Sequence, residues 1–277
     1  MTILDGKRIK EEKLVKLKKE ISILERAPGI AVIQVGNNEA SNVYIRNKKN
    51  TAEELGCKFH HIKFDEDVKE EEILTKIDEL NNDRQIDGIL IQMPIPNHLN
   101  TSFIQNRVSS VKDIDGLTDI NAGLLMHNKM SHIPCTPKGI MEMFNYYNID
   151  LKGKHVVIVG RSELVGRPLM SLMLNNNATV TVCHSYTSNL KNITTLADIL
   201  IVAVGKKHII TEDMVKDGAI VVDVGINRID SKLYGDVDYD NVKNKCSYIT
   251  PVPGGVGQTT VLSLYQNLLK AYRLNNK

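Results

Sequence analysis

The residues most suggestive of chemistry are Tyr44 and Lys48, four apart in a predicted helix over residues 39–55. At that spacing both side chains project from one helix face, so a phenol and an ammonium group can contact the same ligand. A lysine acts as an acid or base near neutral pH only when burial or neighbouring cations lower its pKa from about 10.4. Arg46 and Lys49 are close in sequence. The pair predicts proton-transfer chemistry, with a solvated lysine on an amphipathic helix as the alternative.

A tyrosine four residues before a lysine is also the catalytic pair of the short-chain dehydrogenases. In that family the nucleotide-binding glycines open the chain and precede the pair. In this sequence the pair comes first, and the candidate glycine turn follows far downstream at Gly160. The order argues against that family and favours a substrate domain placed before a nucleotide domain.

Three further features are candidates for ligand binding. Gln92 lies in the predicted strand 88–93, near the carboxyl edge where open α/β sheets bind ligands. Asp115 precedes Gly116 in a favoured turn pair, and a ligand rich in N–H donors would give this carboxylate a second use. The loop 250–257 contains three glycines, which allow backbone to approach a flat ligand closely. Each feature has a structural alternative, namely a strand end, a turn and a loop.

The nucleotide-binding candidate is the stretch 154–170. Its β-branched residues 156–159 predict a strand buried on both faces, and Gly160 begins a tight turn into a helix. Such a unit aims backbone N–H groups at a phosphate. The match is imperfect, because Ser162 occupies the usual middle-glycine position and the next glycine is Gly166. An ordinary strand-to-helix connection is the alternative.

The residues after the next strand favour NADP over NAD. An NAD site usually has Asp or Glu at that place for the ribose hydroxyls. Residues 183–187 read Cys-His-Ser-Tyr-Thr and contain no carboxylate. Arg161 and the hydroxyl of Ser185 suit a 2′-phosphate, which carries charge and acceptor oxygens. The eight histidines show no His-Glu-x-x-His spacing, so we expect no metal site.

Strand and helix patterns alternate around these candidates. The predicted strands cover residues 30–35, 59–64, 88–93, 156–159, 179–183, 199–204 and 219–224. The predicted helices cover residues 7–26, 39–55, 69–80, 136–147 and 260–274. This alternation predicts an α/β fold with two domains, an N-terminal α/β catalytic domain and a Rossmann-like NADP-binding domain.

Composition narrows the class of protein. The 277 residues are enough for two domains, and a net charge of +2 with interleaved charges indicates no nucleic-acid or anionic-membrane partner. The four cysteines are far apart without a Cys-x-x-Cys pair, which predicts reduced thiols in the cytoplasm. The N-terminus lacks an apolar signal segment, and no apolar run approaches the ~20 residues that cross a bilayer. We therefore expect a protein that is neither exported nor membrane-bound.

Taken together, the motifs resemble those of the bifunctional methylenetetrahydrofolate dehydrogenase/methenyltetrahydrofolate cyclohydrolases. They occur in the family's order over nearly the whole chain, at residues 40–48, 87–96, 112–116, 135–137, 160–168, 218–227 and 250–257. The resemblance implies a cytoplasmic homodimer of one-carbon metabolism and purine biosynthesis. It also implies a folate-binding catalytic domain of residues 1–118 with 251–277 and a dinucleotide-binding domain of residues 119–250.

The same resemblance implies the activity and the residue roles. NADP would oxidise 5,10-methylenetetrahydrofolate, and hydrolysis of the methenyl product would give 10-formyltetrahydrofolate. Lys48 would be the acid/base of hydrolysis beside Tyr44, while Gln92 would hydrogen-bond and tune Lys48. Asp115 would hold the pterin. The remaining folate residues would be Ile91, Met93, Pro253, Gly254, Gly255, Val256 and Gly257. The cofactor residues would be Gly160, Arg161, Ser162, Gly166, Ser185 and Ile226.

One departure from the family pattern follows Gly257, where Gln258 and Thr259 replace Pro-Met. Proline fixes φ and removes a donor, so Gln258 is expected to loosen the loop and to leave the relative rates of the two activities open. Two other hypotheses stand beside the folate enzyme. A shikimate dehydrogenase-like enzyme shares the domain order without needing Tyr44 and Lys48, and a non-catalytic sensor would bind NADP without turnover.

Overall fold

The computed structural model describes residues 1–230 and 232–276. Ser231 and Lys277, which fall within the predicted nucleotide and catalytic domains respectively, lie outside the described residues. The chain divides into two compact units. We call residues 12–135 with 261–277 the Lys48 unit, and residues 1–11 with 136–260 the Gly160 unit.

Strands and helices alternate along the chain as the sequence predicts. The strands are β1 Thr2–Ile3, β2 Gly29–Val35, β3 Lys58–Phe64, β4 Gly88–Ile91, β5 His155–Val159, β6 Thr179–Cys183, β7 Ile199–Val202, β8 Ile220–Asp223, β9 Asn227–Ile229, β10 Lys232–Tyr234 and β11 Tyr248–Ile249. The helices are α1 Gly6–Ser22, α2 Glu39–Leu55, α3 Glu70–Asn82, α4 Thr101–Arg107, α5 Asp119–Met126, α6 Cys135–Tyr146, α7 Gly166–Asn175, α8 Leu190–Thr194, α9 Tyr239–Val242 and α10 Val256–Asn275.

The Lys48 unit contains a three-stranded parallel sheet in the order β3-β2-β4. Every residue of the central strand β2 is buried, as its continuous apolar sequence predicts. Helix α2 begins at the N-cap Asn38, whose side chain accepts the N–H of Ser41, and ends at Gly56, which has a φ of 75°. These caps fix the ends of the helix that carries Tyr44 and Lys48.

The Gly160 unit contains a six-stranded sheet in the order β1-β11-β8-β7-β5-β6, with parallel pairing throughout. Strand β5 lies between β6 and β7, so the strand order reverses direction there. In open α/β sheets such a reversal leaves a crevice at the carboxyl ends of the strands, where ligands bind. Gly160 directly follows β5, which puts the predicted nucleotide turn at this edge. The predicted two-domain α/β fold class is confirmed.

Several boundaries differ from the predictions. Helix α10 begins at Val256 and includes the predicted loop end, while β4 ends at Ile91, one residue before Gln92. The strands β1, β9, β10 and β11 were not predicted, because segments of two or three residues carry no measurable alternation. In the described part of the chain, no helix combines the length and apolar character needed to span a bilayer.

A buried ion pair fixes the start of the sheet in the Lys48 unit. The fully buried Asp87 carboxylate accepts two hydrogen bonds of 2.7 Å from Arg26 and one of 2.8 Å from the backbone N–H of Gly29. The hydrogen bonds that Arg26 donates to Asp87 raise the pKa of the Arg26 guanidinium, which also lies 4.8 Å from the ring centroid of Tyr272. The pair joins segments that are distant in sequence.

We expect Asp87→Ala to lower the free energy of unfolding by about 3–5 kcal/mol, because it leaves a partly buried guanidinium and a buried N–H without their acceptor. Urea denaturation measures the loss. The matched control is Asp78→Ala, which breaks the exposed ion pair with Arg107. That control should unfold at nearly the same urea concentration as the unmutated protein, and equal losses in both variants would contradict this account.

Candidate active site

Lys48 and Gln92 meet within the Lys48 unit. The Nζ of Lys48 donates a 2.8 Å hydrogen bond to the Oε1 of Gln92. The amide nitrogen of Gln92 donates at 2.7 Å to the carbonyl of Met93, so the amide oxygen is the atom that faces the lysine. The backbone N–H of Gln92 donates to the carbonyl of Ile33 on β2. Gln92 is therefore held at both ends, and it fixes where the lysine nitrogen lies.

Asp115 is the acidic neighbour of Lys48. Burial lowers the pKa of Lys48, and the charge of Asp115 and the nearby thiol of Cys135 oppose that shift. Burial likewise raises the pKa of Asp115, against the opposing effects of Lys48 and of a hydrogen bond with Cys135. Burial therefore shifts both groups towards their neutral forms, the condition in which a lysine can exchange protons near neutral pH.

The turn that carries Asp115 is built around Asp113. The buried carboxylate of Asp113 accepts the backbone N–H groups of Gly116 at 2.9 Å and Thr118 at 2.8 Å, and it accepts the side-chain amide of Asn121 at 2.8 Å. Gly116 has a φ of 72°, and a Cβ there would lie 2.7 Å from a backbone carbonyl oxygen. The aspartate-glycine pair therefore forms a rigid turn, and its hydrogen bonds use Asp113 rather than Asp115.

Two residues that contact this segment were not predicted to have a role. The thiol of Cys135 hydrogen-bonds with Asp115 and lies 3.4 Å from the carbonyl oxygen of Ile114. On α10, the amide of the buried Asn267 donates at 2.9 Å to the carbonyls of both Ile114 and Ile133. Cys135 could have been found because it lies in the motif 135–137 that resembles the family. Asn267 could have been found because it is a polar residue on the apolar face of α10.

The other predicted folate residues of this unit differ in exposure. Tyr44 is 46% exposed, one helical turn before Lys48, whereas Ile91 is 6% exposed and packs in the apolar core. Met93 is partly buried against the same core. The hydroxyl of Tyr265 on α10 donates to the backbone carbonyl of Lys48. Tyr44 therefore presents an accessible ring, while Ile91 contributes to the buried core of this unit.

In the Gly160 unit, the nucleotide turn requires its two glycines. Gly160 has a φ of 124°, and a Cβ on it would lie 2.3 Å from the carbonyl oxygen of Ala203. A Cβ on Gly166 would lie 2.1 Å from the carbonyl oxygen of Gly160. The hydroxyl of Ser162 accepts the N–H of Val165 at 3.2 Å. The serine thus closes the wide turn, and α7 begins directly at Gly166 with its N–H groups near this edge.

The other predicted cofactor residues are exposed at loops of the same unit. Arg161 follows Gly160, and its guanidinium carbon lies 5.8 Å from the ring centroid of Tyr186. Ser185 is exposed in the turn after β6, and Ile226 is 45% exposed after β8. These side chains are free to meet a ligand that reaches the carboxyl ends of β5, β6 and β8.

The glycine loop before α10 also belongs to the Gly160 unit. The backbone N–H of Gly6 donates to the carbonyl of Gly254, which has a φ of 107°. A Cβ on Gly255 would lie 2.5 Å from a backbone carbonyl oxygen, so the chain packs too closely for a side chain there. Pro253, Val256 and Gly257 complete this segment, and Pro253 and Gly257 are exposed.

Gln258 lies in the first turn of α10, and its backbone N–H donates to the carbonyl of Gly255 at 3.1 Å. The donor that a proline would remove is therefore used. Helix α10 continues without interruption through Thr259, whose hydroxyl donates to the carbonyl of Val256. The expected loosening is not seen in the hydrogen bonding of this turn.

Family models match both halves of the chain. The model described as the tetrahydrofolate dehydrogenase/cyclohydrolase catalytic domain matches residues 4–115. The model of the tetrahydrofolate dehydrogenase/cyclohydrolase NAD(P)-binding domain matches residues 134–276. Together the two models cover most of the sequence.

Individual relatives agree with the family models. Bifunctional protein FolD of Bacillus velezensis is 48% identical over 276 residues, which are 98% of each chain. The crystal structure of the bifunctional FolD methylenetetrahydrofolate dehydrogenase/cyclohydrolase from Campylobacter jejuni superposes with a TM-score of 0.98 at 43% identity over 99% of each chain. The Trypanosoma brucei FolD structure, complexed with NADP cofactor and inhibitor, is 31% identical with a TM-score of 0.95, and the match covers 99% of this chain and 98% of that one.

The shikimate dehydrogenase alternative is represented among the distant structures. The enzyme from Aquifex aeolicus matches with a TM-score of 0.55 at 12% identity, over 92% of this chain and 94% of that chain. Identity at that level indicates a shared fold alone.

Proposed function

Because the chain belongs to the tetrahydrofolate dehydrogenase/cyclohydrolase family, we propose that it oxidises 5,10-methylenetetrahydrofolate with NADP and hydrolyses the methenyl product to 10-formyltetrahydrofolate. The observation that carries the hydrolytic half is the 2.8 Å hydrogen bond between Lys48 and Gln92 beside Asp115. An ordinary surface lysine keeps its ammonium group in water. The side chain of Lys48 is instead partly buried, and this burial lowers its pKa.

Lys48 is the proposed acid and base of hydrolysis. The water oxygen bonds to the methenyl carbon, and one water proton passes to the neutral Lys48 amine. Lys48 then returns that proton to N5 as the bond between the carbon and N5 breaks, and the second water proton passes to solvent as the formyl carbonyl forms. Gln92 keeps the amine in position throughout, and burial favours the neutral form from which the cycle starts.

The dehydrogenase step is proposed to depend on alignment. When bound, NADP supplies the acceptor for the hydride that leaves the methylene carbon of the folate. The protein has no proton to remove in this step, so holding the two reactants in line contributes most of the rate. Tyr44, with its exposed ring, is proposed to contact the folate ring, and Asp115 to accept the N–H donors of the pterin. Ile91 and Met93, with the segment 253–257, are proposed to frame it.

The glycine turn fits a dinucleotide. At Gly160 and Gly166 a Cβ would lie within 2.3 Å of backbone atoms, so the turn keeps backbone accessible where a pyrophosphate would approach the start of α7. We propose that Ser162 and Ile226 also contact the cofactor. Arg161 and Ser185 are proposed to bind the 2′-phosphate, since both are exposed and no carboxylate follows β6.

We propose that the two domains divide the binding of folate and of the dinucleotide. Residues 1–118 with 251–277 would form the folate-binding domain and residues 119–250 the dinucleotide-binding domain. The family model described as catalytic covers residues 4–115 and supports the N-terminal part of this division. The model described as NAD(P)-binding covers residues 134–276 and supports the central part, while the grouping of residues 261–277 with residues 12–135 supports the assignment of the last helix to the folate-binding domain. The four free, buried cysteines support the proposed cytoplasmic location, where thiols stay reduced. Because the proposed product is 10-formyltetrahydrofolate, we also propose a role in supplying formyl groups for purine biosynthesis.

A homodimer is proposed on the basis of strand β3. This strand is at the edge of the described sheet and pairs there with β2 alone, so its other edge presents backbone hydrogen-bonding groups. Its exposed residues are Lys58, His60, His61 and Lys63. An uncovered edge strand of seven residues is suited to pairing with a second copy. Light scattering of the purified protein should give twice the chain mass, and a monomer mass at micromolar concentration would contradict the proposal.

The experiment that tests the reaction class is a substrate panel monitored by NADPH absorbance. We expect NADPH to form with 5,10-methylenetetrahydrofolate and not with shikimate. A non-catalytic sensor would bind NADP and form NADPH with neither compound. Turnover of shikimate at a comparable rate would overturn the folate assignment.

A further inference from the structure

The turn after β6 holds the backbone of one exposed aromatic residue in a fixed position. The backbone N–H of His184 donates at 2.8 Å to the hydroxyl of Thr187, whose own N–H donates at 2.8 Å to the carbonyl of His184. The backbone N–H of Tyr186 donates at 3.2 Å to the Nδ1 of His184. Three hydrogen bonds within four residues leave this turn little freedom, so the exposed Tyr186 side chain starts from a well-defined backbone.

Tyr186 is 82% exposed, which is unusual for a tyrosine, since the ring gives up the free energy of burial. Two polar side chains flank the ring. The guanidinium carbon of Arg161, from the glycine turn after β5, lies 5.8 Å from its centroid. The His184 ring lies 6.1 Å away, edge to face at 69°. We call these three residues the Tyr186 cluster; its members come from the carboxyl ends of two adjacent strands.

The Tyr186 cluster combines three kinds of group that can bind a ligand. Because the Nδ1 of His184 accepts a hydrogen bond, the ring proton lies on Nε2, which remains as an N–H donor. Arg161 adds a permanent cation whose planar group can rest against the phenol ring. A cation, an N–H donor and an open aromatic ring at one edge of the sheet match a phosphate attached near a flat base.

We propose that Tyr186 is a specificity-determining residue for the cofactor, whose ring stacks on the adenine of an adenosine 2′-phosphate and keeps Arg161 beside the 2′-phosphate. The inference rests on the proposed NADP site and adds the base-recognition surface that Arg161 and Ser185 do not supply. Stacking holds the base by its flat face and therefore requires an exposed aromatic ring. An arginine that already rests against that ring loses less conformational entropy when the phosphate binds.

The test is calorimetric titration with two nucleotides, adenosine 2′,5′-bisphosphate and adenosine 5′-monophosphate. We expect Tyr186→Ala to weaken binding of the bisphosphate by about tenfold or more, the size of one base–aromatic stack. Tyr186→Phe, which keeps the ring, should stay within about twofold of the unmutated protein. The matched control is Phe103→Ala, an aromatic 51% exposed in the Lys48 unit, which should change nothing. Circular dichroism checks that each variant is folded.

Steady-state kinetics give a second readout. Tyr186→Ala should raise KM for NADP with little change in kcat, and Tyr186→Phe should restore KM. The two possible failures are distinguishable. If the unmutated protein binds both nucleotides equally, the proposed 2′-phosphate site of Arg161 is wrong. If it prefers the bisphosphate and Tyr186→Ala binds it as tightly as before, the role of Tyr186 alone is overturned.

Discussion

Lys48→Met is expected to lower the rate of methenyltetrahydrofolate hydrolysis by about 10²–10⁴-fold, the usual contribution of one positioned acid/base. Methionine keeps most of the side-chain length but accepts and donates no proton. NADPH formation from methylenetetrahydrofolate should fall much less, since hydride transfer needs alignment rather than a base. The two absorbance assays on one protein sample measure this divergence.

Two matched variants separate proton transfer from charge and from packing. Lys49→Met changes the adjacent exposed lysine, which pairs with Glu53, and should leave both activities unchanged. Lys48→Arg keeps a cation that does not lose its proton, so its rate of hydrolysis should be about as low as that of Lys48→Met. In the unmutated protein, the rate of hydrolysis should rise with pH at values below the titration range of an ordinary lysine, because burial lowers the pKa of Lys48. Full hydrolysis by Lys48→Met would contradict the assignment.

Arg161→Ala is expected to lower kcat/KM for NADP by roughly tenfold to a hundredfold, as removal of a charge-assisted hydrogen bond to phosphate predicts. The value for NAD should change little, because NAD lacks the 2′-phosphate. The preference of the enzyme for NADP should therefore shrink by nearly the whole loss. Initial rates with each cofactor, at saturating methylenetetrahydrofolate, give the ratio directly.

The control for Arg161 is Arg167, an exposed arginine near the same turn that pairs with Glu163. Arg167→Ala should leave the cofactor preference as it was. An equal loss with NADP and NAD in Arg161→Ala would indicate damage to the turn rather than loss of a phosphate ligand. Unmutated protein with equal kcat/KM for both cofactors would contradict the selection of NADP itself.

Much of the fold follows from local sequence pattern. The buried strand β2 and the glycine after β5 were predictable because apolar runs and turn glycines act within a few residues. Helix α2 was predictable for the same reason, and its spacing alone places Tyr44 and Lys48 on one face. The two-residue strands β1 and β11 were not predictable, since their pairing depends on neighbours distant in sequence.

The candidate site also has local features that could be predicted and tertiary contacts that could not. The strand end near Gln92 and the turn at Asp115 are local features, whereas their approach to Lys48 was implied by the family resemblance and not by spacing. Cys135 and Asn267 act on this segment through contacts across more than one element. Such contacts are set by tertiary packing, which a hydrophobic pattern does not encode. The same holds for the Arg161 and Tyr186 contact, which joins two loops.

The most direct test of the bifunctional assignment is product stoichiometry in one reaction. The purified protein is given 5,10-methylenetetrahydrofolate and NADP, and NADPH, methenyltetrahydrofolate and 10-formyltetrahydrofolate are each quantified over time. We expect NADPH and 10-formyltetrahydrofolate to rise together, with little methenyl compound beyond that formed in the first turnovers. Absence of NADPH, or NADPH matched by accumulating methenyltetrahydrofolate at the spontaneous rate of hydrolysis, would contradict the account.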